Sequence, residues 1–311
     1  MLIVFGSINV DLVMHVDSLP QAGDRQLVPS YDWRPGGKGA NQAVAAARME
    51  TKTAMVGKIG EDGFGTRMVN TLKKSGVMTS GIAYGEQPTG TGTFFFDPSG
   101  TCMAVIASGA NGEVSEDQMP GDILGGRNAI LLQMEIPSEV NQAVIHRAAK
   151  TGATVILNLA PAYKIQHDVL TDVDVLVVNR QEGEQMAKAL GLDIDKNSKI
   201  LAQSLAREGN LTCIMTLSEQ GSVLAHPDGS GMSCAAYTDI EVVETTGAGD
   251  AYCGVLAASI HDGVDWAEAM KRASIAASLT CRGVGAQDKM PHKDEVMALL
   301  PQLPDPATFS A

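Results

Sequence analysis

Positive charge is scarce in this chain and nowhere clustered: 23 Lys and Arg stand against 36 Asp and Glu, a formal net charge of −13 over 311 residues. Nucleic-acid grooves and anionic membrane surfaces both need grouped cations, so neither partner fits. Aromatic residues make up only 4%, too few for a platform that stacks bases. No run of about 18 apolar residues exists to span a bilayer, and the N-terminal MLIVFGSINVDL has no basic leader, so no signal peptide is expected. The five cysteines (Cys102, Cys213, Cys234, Cys253, Cys281) are odd in number, far apart and never in a C-x-x-C pair. They read as reduced, buried thiols of a cytoplasmic protein, which makes the Asn210-Leu211-Thr212 sequon incidental.

Several familiar catalytic patterns are also missing. None of the six histidines stands in H-E-x-x-H or another ligand spacing, and no serine sits in G-x-S-x-G. The first strand leads into Gly6-Ser-Ile-Asn-Val and not into G-x-G-x-x-G. The glycine-rich patch near residue 38 is not a Walker A loop, because Asp32 stands where that loop needs Gly and Gly39 where it needs Ser or Thr.

What remains is globular, with 44% hydrophobic and 19% charged residues. Short β-branched runs at 2–6, 53–59, 129–134, 153–158, 173–178 and 211–217 alternate with helical patterns at 39–50, 65–76, 138–151, 182–190, 197–208, 248–262, 266–281 and 293–299. Strands apolar on both faces and spaced by helices predict an α/β fold with a mostly parallel central sheet between helix layers. Segments 12–35 and 83–110 break the rhythm, the second around the turn Asp97-Pro98-Ser99-Gly100. They predict a small β lid built from two excursions over one α/β domain spanning residues 1–311.

Four constellations can carry chemistry. Thr245-Thr246-Gly247-Ala248-Gly249-Asp250 opens a helix, where glycines allow several amides to converge and the helix start adds partial positive charge, an anion cradle. Asp250 beside such a cradle suits proton removal from an attacking hydroxyl; it also suits a simple helix cap. Gly36-Gly37-Lys38-Gly39-Ala40-Asn41-Gln42 offers close backbone approach, a cation and an amide, suited to hydroxyls. Asn9 and Asp11, two apart on extended chain, project to one side and can bind vicinal hydroxyls. Asn179 and Glu182 stand where a strand gives way to a helix, as oxygen ligands for Mg²⁺ or as a capping box. Glu135 ends the apolar strand LLQME.

GSINVD at the start, PGGKGAN near 40, SGAN near 110, N-x-x-E at 179–182 and TTGAGD at 245–250 occur in an order that resembles the ribokinase-like, or PfkB, family of carbohydrate kinases. The resemblance covers nearly the whole chain. It implies that Asp250 is the catalytic base and that the amides of Gly247, Ala248 and Gly249 form an anion hole for the γ-phosphate of ATP. Asn9, Asp11, Gly37, Lys38, Asn41 and Glu135 match sugar-contacting positions. Asn179 and Glu182 match the element that organises Mg²⁺ and phosphates, Glu182 through water, and Thr216 and Gly221 match the nucleotide loop with Asn179 beside it. The segment in the 280s flanks the adenine, and the lid implies a homodimer.

The expected activity is ATP-dependent phosphorylation of a primary hydroxyl on a small sugar, foremost O5 of ribose. Fructose or a nucleoside (adenosine, pseudouridine) is the alternative acceptor, and a non-catalytic sugar-binding regulator is the rival from outside the enzymes. Three positions depart from the family pattern. Glu244 and Lys289 occupy the loop pair, with Gly285, where the family holds K⁺, and an ammonium there could replace the ion. Ser218 stands where the nucleotide loop commonly has Gly.

Overall fold

Four apolar residues, Leu2–Phe5, form the first strand (β1) and are fully buried. Successive strand residues face opposite sides, so Leu2 and Val4 enter one core while Ile3 and Phe5 enter another. A computed structural model describes residues 1–162 and 165–310, the side chain of Asp122 excepted. The elements that follow are β2 (Asn9–His15), β3 (Asp32–Gly36), α1 (Lys38–Arg48), β4 (Thr53–Gly60), α2 (Gly63–Lys74), β5 (Met78–Gly85), β6 (Gly90–Phe96), β7 (Cys102–Ala107), β8 (Ala129–Gln133), α3 (Ser138–Thr151) and β9 (Thr154–Asn158). Then come α4 (His167–Leu170), β10 (Val175–Asn179), α5 (Arg180–Leu190), α6 (Ser198–Gly209), β11 (Thr212–Thr216), β12 (Ser222–Ala225), β13 (Gly231–Cys234), α7 (Ala248–His261), α8 (Trp266–Thr280), α9 (Lys293–Leu299) and β14 (Ala307–Phe309).

The large sheet has the order β14-β13-β12-β11-β10-β9-β8-β1-β4-β5. Every pairing from β11 to β5 is parallel, and β12, β13 and β14 extend it in antiparallel fashion. The predicted α/β class is therefore observed. The antiparallel extension is not signalled in the sequence, because its strands are three or four residues long and lack the doubly apolar runs. Helices α1, α2, α7 and α8 cover one face and α3, α5 and α6 the other. Chain order reverses at β1, which lies between β8 and β4, so the loop leaving β1 opens at the switch point where sheets of this kind place ligands.

Two packing details set up the site. Helices α1 and α7 meet through small side chains: a Cβ on Gly254 would lie 2.4 Å from the carbonyl oxygen of Gln42 and 2.7 Å from Ala45 Cβ. The second small sheet has the order β3-β2-β6-β7, β2 pairing antiparallel with β3 and parallel with β6. Both excursions contribute to it. However, residues 83–85 belong to β5 of the large sheet, so the second excursion enters the small sheet at Gly90. Buried Asn111 pins the crossing between sheets: its Oδ1 accepts the Ile8 N–H at 2.9 Å and its Nδ2 donates to Asn9 Oδ1 at 2.7 Å.

Candidate active site

Gly247 caps α7 with a φ of 82°, and no side chain caps that helix. A Cβ on Gly247 would stand 2.7 Å from Ala286 Cα, so the loops before α7 and at 285–287 touch. Asp250, in the first turn, is only 8% exposed. Its carboxylate is not a helix cap. Oδ2 accepts from Asn41 Nδ2 at 2.9 Å and Oδ1 from Gln42 Nε2 at 3.0 Å. Around Gly249 the space is open, with nothing within 4 Å of where a Cβ would stand. Of the three amides expected in the anion hole, that of Ala248 is given to Thr245 O at 3.2 Å, and that of Gly249 has no partner among the described residues. Early N–H groups of a helix are unpaired by construction and favour anions.

The other glycine patch faces the same place. Gly37 has a φ of 86°, and a Cβ on it would lie 2.7 Å from the Asn9 nitrogen, so only glycine allows α1 to start against the strand β2. Glu135 Oε2 accepts both Ser7 Oγ at 2.6 Å and the Lys38 N–H at 3.0 Å, tying the ends of β1 and β8 to α1. Asn41 Oδ1 accepts from Gln287 Nε2 at 2.9 Å. Asp11 on β2 lies across Gly36 and Gly92: a Cβ on Gly36 would stand 2.2 Å from its Oδ2 and one on Gly92 2.7 Å from its Oδ1. Burial, then the neighbouring Glu135 and Asp250 charges, push the Asp11 carboxyl up to about 7, against the opposing pull of Arg34 and Lys38. The half-buried Lys38 ammonium is held above the usual lysine range, chiefly by Asp250 and then by Glu135 and Glu182, against its own desolvation.

A pocket of about 150 Å³ joins Lys38, Glu182, Thr216, Gly247, Gly249 and Asp250. Asn179 and Thr216 also line a wider cleft of about 600 Å³, with Arg180, Lys196, Ser198 and residues 217–220. Asn179 and Glu182 form the reciprocal capping box of α5: the Asn179 N–H donates to Glu182 Oε2 and the Glu182 N–H to Asn179 Oδ1, both at 2.8 Å. Glu182 Oε1 has no protein partner among the described residues, and burial holds this carboxyl above its ordinary range. Gly221, expected in the nucleotide loop, is buried, and a Cβ on it would meet Cys234 O at 2.0 Å. It shapes the turn while residues 217–220 line the cleft. Ser218 adopts a φ of 52°, the left-handed conformation natural to glycine.

Glu244 and Gly285 are adjacent, the Gly285 N–H donating to Glu244 Oε2 at 3.1 Å. The cation beside them is not Lys289, whose stem packs over Gly283 and which is exposed. It is Arg34 of β3, with its guanidinium 3.5 Å from Glu244 Oε2. That expectation is corrected on geometric grounds: β3 brings Arg34 across from the small sheet, a placement no local pattern announces.

The structure thus gathers Asn9, Asp11, Gly37, Lys38, Asn41, Glu135, Glu182, Gly249 and Asp250 at the carboxyl edge of the parallel strands, with Asn179 and Thr216 bordering them. Sequence reasoning assigned no role to Gln42, Gln133, Asn158, Gln287 or Arg34. The first was detectable as a polar residue that is buried in an otherwise Ala-rich helix face, directly after Asn41.

The chain matches the pfkB family carbohydrate kinase model over residues 1–293. It is 35% identical over 308 residues to the ribokinase of Bacillus subtilis, covering 96% of this chain and 98% of that protein. Among solved structures, the ribokinase of Thermotoga maritima superposes with a TM-score of 0.89 at 29% identity, covering 96% of this chain and 99% of its own. The Arabidopsis thaliana ribokinase solved with ribose and ATP gives 0.86 at 29% identity, over 96% of this chain and 98% of its own. A match across almost the full length, joined to a shared fold, makes this chain a member of the pfkB family of carbohydrate kinases.

Proposed function

We propose that the chain transfers the γ-phosphate of ATP to the primary hydroxyl, O5, of D-ribose. The observation that carries this reading is the buried Asp250 carboxylate, held by Asn41 and Gln42 and sharing a pocket with Lys38 and Gly249. Similarity to ribokinases over 96% of the chain favours ribose among sugars.

In this reading Asn9, Asp11, Gly37, Lys38, Asn41 and Glu135 contact the sugar. Asp250 takes the hydroxyl proton as the oxygen bonds to phosphorus, late enough for a carboxylate to serve as base. The Gly249 amide and the positive end of α7 face the transferred group, Gly247 and Ala248 holding the turn that aims them. Lys38 adds a full positive charge to a pocket otherwise ringed by carboxylates. The nucleotide occupies the 600 Å³ cleft beside Asn179 and Thr216, its loop shaped by Gly221. The small sheet is the lid, excluding water that would attack ATP.

Glu182, with one oxygen engaged in the cap and the other unengaged at the pocket, fits a hydrated Mg²⁺, an ion that keeps most of its waters and needs few protein oxygens. Bound with the nucleotide, Mg²⁺ supplies neutralisation of phosphate charge. Glu244 and Gly285 do not fit a monovalent cation, because the carboxylate already accepts an N–H and faces Arg34.

The lid also supports a homodimer: every residue of β7 is exposed, and the strand presents Met103, Val105 and Ile106. Four of the five free cysteines are buried as expected, whereas Cys102 is exposed because it opens the uncovered strand β7; free thiols accord with a reducing, cytoplasmic setting. No helix among the described residues is long and apolar enough to cross a membrane.

The test is ADP release with ribose, 2-deoxyribose, fructose, adenosine and pseudouridine, and light scattering for the dimer. Highest kcat/KM with ribose is expected. Faster turnover of a nucleoside, or no sugar-stimulated ADP release, contradicts the reading.

A further inference from the structure

Behind Asp250 lies an array of buried amides with a single direction. Gln42 is 0% exposed, and both ends of its amide are engaged. Nε2 donates to Asp250 Oδ1 and to Asn158 Oδ1, each at 3.0 Å, while Oε1 accepts from Gln133 Nε2 at 2.8 Å. Asn158 is itself oriented, since its Nδ2 donates to Val177 O at 3.2 Å. Gln133 fits against the glycine that follows β1, for a Cβ on Gly6 would stand 2.0 Å from Gln133 Oε1, an oxygen with no hydrogen-bond partner among the described residues.

An amide can be turned end for end at almost no steric cost, so its orientation is a matter of its partners. Turning Gln42 over would set its oxygen against two other oxygens and its NH₂ against the NH₂ of Gln133. Three hydrogen bonds would become three repulsions in a dry interior, where unpaired polar groups are costly. The N–H donated to Asp250 is therefore held in its direction by the anchored Asn158 beside it, while Gln133 occupies the amide oxygen at the other end. The donors on both carboxylate oxygens are neutral, so they fix the plane of the carboxylate without a cation that would compete for the proton it is to accept.

We propose that Gln42 is a positioning residue for Asp250, its direction set by Asn158, and that Gln133, which does not touch Asp250, supports it by occupying the Gln42 amide oxygen. The proposal rests on the reading of Asp250 as the proton acceptor. Its role is angular: it holds Oδ1 so that the carboxylate meets the attacking hydroxyl in line with the phosphorus.

The test compares Gln42→Met, of similar length but without donor or acceptor, Gln42→Glu and Gln133→Met, each as full-length protein normalised to folded enzyme. For Gln42→Met, kcat should fall about 10–100-fold, the penalty typical of a misplaced reacting group, with KM for the sugar nearly unchanged. Gln42→Glu should recover turnover towards acid pH, where its protonated carboxyl again donates to Asp250, and lose it as that proton leaves. A purely structural residue would not invert the pH profile. Unchanged kcat in Gln42→Met, or a loss confined to KM, overturns the proposal. If Gln42→Met does not fold, Gln133→Met decides in the same way: a kcat loss at constant KM supports it and an unchanged kcat overturns it. Parallel assay of Asp250→Asn separates the two ideas. An inactive Asp250→Asn beside a normal Gln42→Met refutes the positioning role alone, whereas an active Asp250→Asn refutes the proton-acceptor reading beneath it.

Discussion

Asn41 Nδ2 lies 2.9 Å from Asp250 Oδ2, a hydrogen bond between residues 209 apart in the chain. It joins the two glycine-rich stretches into one cleft. The packing of α1 on α7 makes it possible, and Gly254 sets how closely those helices approach.

Asp250→Asn keeps the shape of the side chain and removes its basicity. Turnover should fall about 10²–10⁴-fold, the usual contribution of a general base, while calorimetry finds sugar affinity little changed. Affinity lost as fully as turnover would contradict the role.

Asp11 carries a pH signature. Its carboxyl is raised from 3.8 to about 7 in the folded chain, so between those values the native state holds a proton that the unfolded chain has released. Stability of the sugar-free protein should therefore decline as pH rises through this window. Asp11→Asn should flatten the decline and weaken sugar binding. Melting temperatures from pH 4 to 8 for both proteins check the sign.

Arg34 and Glu244 predict equal turnover in sodium and potassium buffers of the same ionic strength. Arg34→Ala should expose Glu244 and introduce a potassium dependence. Strong potassium stimulation of the parent enzyme counts against the guanidinium as the resident cation.

Ser218 holds a left-handed φ of 52°, and Ser218→Gly relieves it. The strain released exceeds the added freedom of the unfolded chain, so stability should rise by about 0.5–1 kcal/mol. Urea denaturation measures this.

Gly254→Val should push α1 from α7 and cost about 1–3 kcal/mol as overpacking. Because Asn41 and Gln42 ride on α1, kcat should fall with stability. A destabilised variant with intact kcat would show that the array tolerates the shift.

Much was legible before folding. Runs such as Leu2–Phe5 and Ala129–Leu132, apolar at every position, can only be strands covered on both faces, and Gly37 and Gly247 marked the two helix starts where the backbone must turn left-handed. Asp250, Lys38 and Glu135 stood out as charges at the ends of such elements. These signals are local, arising from periodicity and from the torsional freedom of single residues, and they act over a few positions.

Contacts between distant segments escaped them. The parallel pairing of β2 with β6, the placement of Arg34 rather than Lys289 beside Glu244, and the direction of the Gln42 amide all depend on which groups meet after the layers pack. Composition and spacing pointed to an α/β scaffold and to the Asp250 carboxylate at a glycine-rich helix start, and the order of the motifs carried the resemblance to carbohydrate kinases. The tertiary structure alone decided what holds that carboxylate, because hydrogen-bond direction and ion pairing are set by neighbours in space and leave no period in the chain.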